Sequence, residues 1–156
     1  MDEQRVRALL QEDNRYINES NESDQTPLYY ICGDHYHTYD LGILDAVLEQ
    51  DNIKINKANK DGHTPLYVAC EEGHEAIVSA LLKNENIEVD KADNDGATPL
   101  YIACQEGHKA IVTTLLEKSG IKINKAANNG ETPLYIACQE GHKAIVNALL
   151  KNEKMM

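Results

Sequence analysis

His35 and His37 stand either side of Tyr36, with Asp34 and Asp40 close by, and imidazoles beside carboxylates are ligands that zinc accepts. No further group at fixed spacing closes them into a tetrahedral set. The stretch reads also as an exposed loop, solvated or meeting a partner through His35, Tyr36, His37 and Tyr39, since tyrosine is favoured at interfaces. Four cysteines, Cys32, Cys70, Cys104 and Cys138, follow one another at intervals of 38, 34 and 34 residues. That rhythm marks one thiol per repeated unit and not a set of pairs. Helices stacked about 8–10 Å apart hold equivalent cysteines beyond the Cα separation of about 7 Å that a disulfide tolerates. Reduced, buried thiols are expected, as in a cytoplasmic or nuclear protein. His74, His108 and His142 recur in the same rhythm, each after a glycine. None of these residues forms a catalytic set, so neither enzyme activity nor a cofactor is expected.

The 156-residue chain carries 15 basic against 26 acidic side chains, a formal net charge of −11. Phosphates are repelled by such a surface, which argues against nucleic acid as a partner. A protein with a basic patch is the complementary expectation, drawn in by a long-range field. The same charge serves equally to keep an apolar-rich repeat soluble. Apolar residues make up 42% of the chain, too many for a disordered acidic tail, and with no Phe or Trp the interior is left to Ala, Leu, Ile, Val, Cys and Tyr. No stretch approaches the roughly 20 apolar residues of a membrane span, and Met1-Asp2-Glu3-Gln4-Arg5 is too charged for a signal peptide. Membrane insertion and a small-molecule substrate are not expected.

The elements that position these residues come as a repeat. Thr64-Pro65-Leu66-Tyr67-Val68-Ala69-Cys70 returns at Thr98 to Cys104 and at Thr132 to Cys138, with a looser copy at Thr26 to Cys32. Residues 98–112 and 132–146 are identical. Thr before Pro is a helix start, because the hydroxyl caps free N–H groups and Pro at the first position loses no needed donor. The first helix runs to the glycine, Gly107 in the third copy, which accepts positive φ. A second helix follows with Ala110, Ile111, Val112, Leu115 and Leu116 on one apolar face. Ile121 and Ile123 then alternate with polar neighbours in a short extended segment, and Asn129-Gly130 supplies a tight hairpin turn, as Asp61-Gly62 and Asp95-Gly96 do earlier.

These features resemble the ankyrin-repeat family. The motifs are D-x-x-G-x-T-P-L at Asp93 to Leu100, the pairs Gly73-His74, Gly107-His108 and Gly141-His142, and the I-V-x-x-L-L run from Ile145 to Leu150. Tetratricopeptide arrays share the period of 34 but lack the Thr-Pro start and the glycine hairpin. The resemblance implies a mainly α solenoid of stacked helix-turn-helix pairs joined by β-hairpin loops, an N-terminal helix plus four repeats. Residues 1–25 would hold that helix, with Ala8-Leu9-Leu10 in register with Ala80-Leu81-Leu82, and the first hairpin. The repeat with the insertion spans 26–63, and later repeats span 64–97, 98–131 and 132–156. Such a protein is expected to be a non-enzymatic scaffold that binds another protein. The alternative is a recruiting or regulatory segment of a larger multidomain enzyme or channel.

The resemblance also places contact residues on the concave face. At the hairpin tips they are Glu22, Ser23 and Gln25, then Lys60, Asp61 and His63. Asn94, Asp95 and Ala97 follow, and then Asn128, Asn129 and Glu131. At the ends of the first helices stand Glu71 and Glu72, Gln105 and Glu106, Gln139 and Glu140. Lys57, Lys91 and Lys125 form an opposing ladder at the hairpin bases. Asn18, Asn56 and Asn124 fall where the family's hairpin asparagine lies, a structural position that can also be hydroxylated. Departures from the pattern are Tyr29, Tyr67, Tyr101 and Tyr135 in the place of its usual His, Asp24 for the first hairpin Gly, and Ala127 for the last hairpin Asp. Looser turns are expected at those two hairpins. An extra residue after each second helix leaves Asn84 or Asn86 to take a left-handed cap. The apolar run Ala144 to Leu150 lacks the polar outer face of a terminal repeat, as in a fragment of a longer array or an end that meets another molecule.

Overall fold

The computed structural model describes residues 14–33 and 41–153. The expected N-terminal helix falls outside them except for a 3-10 turn at Asn14–Asn18, and so does the insertion at Asp34–Asp40. Among the described residues eight α-helices follow: α1 Pro27–Cys32, α2 Leu41–Leu48, α3 Pro65–Glu71, α4 Glu75–Leu81, α5 Pro99–Gln105, α6 Lys109–Leu116, α7 Pro133–Gln139 and α8 Lys143–Glu153. Each pair packs on itself and on the adjacent pair, so α1, α3, α5 and α7 form one row and α2, α4, α6 and α8 another.

The threonines start the first helices as the sequence predicts. Thr26, Thr64, Thr98 and Thr132 each have extended backbone, and each Oγ1 accepts the N–H three residues on, at 3.1–3.2 Å. A proline follows at the first helical position every time. Thr98→Ala is therefore expected to cost about 1 kcal/mol in urea denaturation, with Thr98→Ser retaining most of the cap. Helices of seven residues are too short to persist alone in water. They persist here because Pro99 to Cys104 are buried throughout, with one neighbouring unit on each side. The second helices bury one face only. In α6, Ile111, Val112, Leu115 and Leu116 point inward, but Ala110, expected with them, is exposed.

The hairpins are closed loops without β-strand pairing among the described residues. Asn59 N–H donates to the His63 carbonyl at 3.0 Å and Gly62 N–H to Asn59 at 3.1 Å, with Gly62 at φ +85°. This is a three-residue loop ending in a left-handed glycine, not the two-residue turn that Asp-Gly suggests. The extended segment expected at Ile121–Asn124 is likewise a turn, closed by Lys125 N–H to the Lys122 carbonyl at 3.1 Å.

Asp24 and Ala127 do not loosen their hairpins. Asp24 itself takes φ +61°, and Asp24 N–H reaches the Asn21 carbonyl at 3.0 Å. The last hairpin closes at 2.9 Å on both of its backbone bonds. What differs is the support. Asn21, Asn59 and Asp93 each accept two backbone N–H groups through Oδ1, whereas Ala127 accepts none and Asn129 substitutes one bond to Glu131 N–H at 3.0 Å. Neither Asn84 nor Asn86 is left-handed. Asn84 Oδ1 instead accepts Asn86 N–H at 2.9 Å, which tightens the exit from α4 by a different route.

Side chains lock one unit to the next. Asn18 and Asn56 each clamp the following unit's backbone: the Asn56 carboxamide donates to the Asn86 carbonyl at 2.7 Å and accepts Glu88 N–H at 3.0 Å. The Lys57, Lys91 and Lys125 ammonium groups donate to the Asn18, Asn56 and Asp90 carbonyls of the preceding unit. The lysine ladder is thus bonded between units.

Candidate protein-binding groove

The hairpins and the first-helix row enclose a groove of ≈ 750 Å³. Helix α3 gives it Tyr67 from its first turn and Glu71 from its end, and α5 gives Tyr101, Ile102 and Gln105. One hairpin contributes Asp93, Asp95 and Ala97, the next Ala127, Asn128 and Asn129, and His63 closes the near end. Glu71, Asp93 and Asp95 are its carboxylates, and no lysine or arginine lines it. A separate hollow of ≈ 530 Å³ at the hairpin bases is lined by Lys54, Lys57 and Lys91. The array is therefore polar in charge across its width.

Each group in the groove is held by local structure. Asp93 anchors its own hairpin through Oδ1, accepting Asp95 N–H at 3.0 Å and Ala97 N–H at 2.8 Å. Its Oδ2 faces His63 Nε2 at 3.8 Å. The His63 ring stacks on Tyr67, centroids 4.3 Å apart, which presents the imidazole edge to the groove. Burial, then the Asp93 charge beside it, pushes the Tyr67 hydroxyl far up, so it remains a neutral donor. Tyr101 Oη donates to Glu131 Oε2 at 2.9 Å, and its hydroxyl is pushed up to about 12, mainly by burial. Glu71 is half-buried. Desolvation raises its carboxyl above the usual range, partly offset by His63 and reinforced by Glu72, Glu106 and Asp93.

Of the contact residues expected from the sequence, His63, Glu71, Asp95, Ala97, Gln105, Asn128 and Asn129 come together here. Ala97 does so as a buried floor. Glu131 stands behind Tyr101 as its acceptor. Glu22, Ser23, Gln25, Lys60, Asp61 and Asn94 belong to the hairpin row but not to the groove wall, and neither Glu72 nor Glu106 lines it. Gln139 and Glu140 are exposed and form no such wall. His35, Tyr36, His37 and Tyr39 lie outside the described residues. Tyr67, Tyr101 and Asp93 were not singled out as contacts. The tyrosine after each Thr-Pro-Leu reads as packing, and both rings are indeed buried.

Two of the histidines after glycine, His108 and His142, bond one unit to the next. His108 Nε2–H donates to the Glu71 carbonyl and His142 Nε2–H to the Gln105 carbonyl, each at 3.0 Å. These bonds also fix the first-helix tails that form the groove. Cys32, Cys70 and Cys104 are buried free thiols, and burial pushes all of them up, Cys104 to about 12, which leaves them unreactive.

Helix pairs stacked on their neighbours, with hairpins projecting to one side, define a helical repeat solenoid. The family model for ankyrin repeats, in three copies, matches residues 2–93, 35–127 and 88–156, and the chain belongs to the ankyrin-repeat family. Ankyrin repeats are generally protein–protein interaction modules and non-enzymatic scaffolds. No curated protein matches the chain. Among the described residues no helix is long and apolar enough to cross a membrane.

Proposed function

We propose that this protein binds a basic segment of a partner protein in the groove between the hairpins and the first-helix row. The observation that carries the reading is the lining: Glu71, Asp93 and Asp95 with no lysine or arginine among them. A lysine or arginine side chain entering between Tyr67 and Tyr101 meets carboxylates and tyrosine edges together. The stacked units act as one domain over 1–156 and hold these groups in place before the partner arrives, which lowers the entropy cost of association. Inert buried thiols suit a reducing compartment, the cytoplasm or nucleus.

The test uses three peptides of equal length, one rich in Lys and Arg, one neutral and one rich in Asp and Glu. Only the basic peptide should bind, at a rate that falls as salt rises. Glu71→Lys with Asp95→Lys should weaken it by about tenfold or more. Equal binding of all three peptides, or a rate indifferent to salt, removes the charge argument and leaves −11 as a solubility device.

A proton effect follows from Glu71. Its carboxyl is raised in the free protein, and a bound cation favours the ionised form. Binding should therefore release protons and tighten as pH rises through the carboxylate range. Calorimetry in two buffers of different ionisation enthalpy measures the release, which Glu71→Gln should abolish.

A further inference from the structure

His63 is the one imidazole lining the groove among the described residues. Gln25, Ala97 and Glu131 hold the same place in the other three hairpins, so the sequence supplies this ring once. The ring is held in one orientation by its stack on Tyr67, with centroids 4.3 Å apart and planes at 18°. Nε2 thereby faces Asp93 Oδ2 at 3.8 Å, where the Asp93 side chain is 7% exposed and that of His63 25%. A neutral imidazole makes no hydrogen bond at that distance. A protonated one places a full positive charge beside a carboxylate largely shielded from water, where charges act strongly on one another.

The Asp93 carboxylate is already half committed. Its Oδ1 accepts the Asp95 and Ala97 N–H groups at 3.0 and 2.8 Å. Oδ2, the oxygen that His63 faces, is what remains for a cation entering the groove beside the Tyr67 hydroxyl. A proton on His63 and a partner's ammonium or guanidinium therefore compete for the same negative charge. The other ionisable groups around the ring are Tyr67 and Glu71 on α3, Asp95 on the following hairpin, and Lys60 and Asp61 on its own, while α5 presents Tyr101. Glu71 responds to the imidazole directly: desolvation raises its carboxyl most, and His63 is the influence that lowers it. Resting on the reading of the groove as a site for a basic segment, we infer that His63 is the pH switch of that site. Uncharged, it leaves Glu71, Asp93 and Asp95 to the partner; as imidazolium it takes up part of their charge and repels the basic segment. Imidazoles as a class change charge between about pH 5 and 8, which suits them to this role. By reciprocity, a bound basic segment makes His63 harder to protonate by the same factor.

The probe is a peptide of alternating lysine and glycine with both termini blocked, whose own charge is constant from about pH 8 to about pH 5.5. Its affinity for the full native chain should fall about fivefold or more over that range. In His63→Gln the ratio of the two affinities should approach one, whatever their absolute values. His63→Arg, which keeps its charge throughout, should bind weakly at both ends. A readout apart from affinity is the proton resonance of His63 Hε1, identified by its loss in His63→Gln. Saturating peptide should move its titration to lower pH by the logarithm of the same factor. A native affinity indifferent to pH, a fall that persists in His63→Gln, or a resonance whose titration the peptide does not move overturns the switch and leaves the groove as a site. No binding by the native chain at either pH overturns the groove itself, and the switch with it.

Discussion

Leu100→Ala is expected to lower stability by about 2–5 kcal/mol, and Leu134→Ala by distinctly less. Leu100 is 1% exposed, enclosed in α5 between the units on either side, while Leu134 is half-buried in α7. The comparison is unusually clean because the two leucines sit in identical stretches of sequence. Local effects on the unfolded chain therefore cancel, and the difference reports burial between units. Urea denaturation with matched m-values measures it. Equal losses would mean that the inter-unit interfaces contribute no more at the centre of the stack than at its end.

Gly107→Ala should cost more than Gly141→Ala. Both glycines have positive φ, +80° and +77°, so both variants carry a left-handed strain of about 1–2 kcal/mol. Only at Gly107 does the new methyl meet a neighbour, the His142 ring at 2.6 Å. Displacing that ring breaks the Nε2–H bond to the Gln105 carbonyl and leaves a half-buried polar pair unmatched, a further loss of about 1–3 kcal/mol. The excess of one variant over the other, read from thermal or urea midpoints, isolates the inter-unit contact. No excess would show that the imidazole yields freely and contributes little to the stack.

Much of this architecture is legible along the chain because its causes are local. A threonine hydroxyl reaches an N–H three residues on, proline suits a first helical turn, and glycine takes positive φ after a helix. Those rules place every first helix and, at Gly73, Gly107 and Gly141, the break before the second one. They also reach the closed hairpins, although not the turn geometry. Asp61-Gly62 permits either a two- or a three-residue loop, and the Asn59 side chain, which bonds Asp61 and His63 N–H groups, selects the longer one. Asp24 kept its turn for a similar reason: Asn21 Oδ1 supports it with two bonds that offset the cost of a left-handed aspartate.

The sequence by itself could not say which copy of a repeated residue is covered. Tyr101 and Tyr135 have identical neighbours along the chain, and so do Cys104 and Cys138, yet one of each pair is buried and the other open. Burial is decided by the adjacent unit, whose contacts come from 30 to 39 residues away, as the Tyr101–Glu131 and Lys57–Asn18 bonds do. The groove has the same origin. Its acidity comes from Glu71 on one unit's helix and Asp93 and Asp95 on the following hairpin. Only stacking brings them around a common space, where desolvation, reinforced by Glu72, Glu106 and Asp93, raises the Glu71 carboxyl.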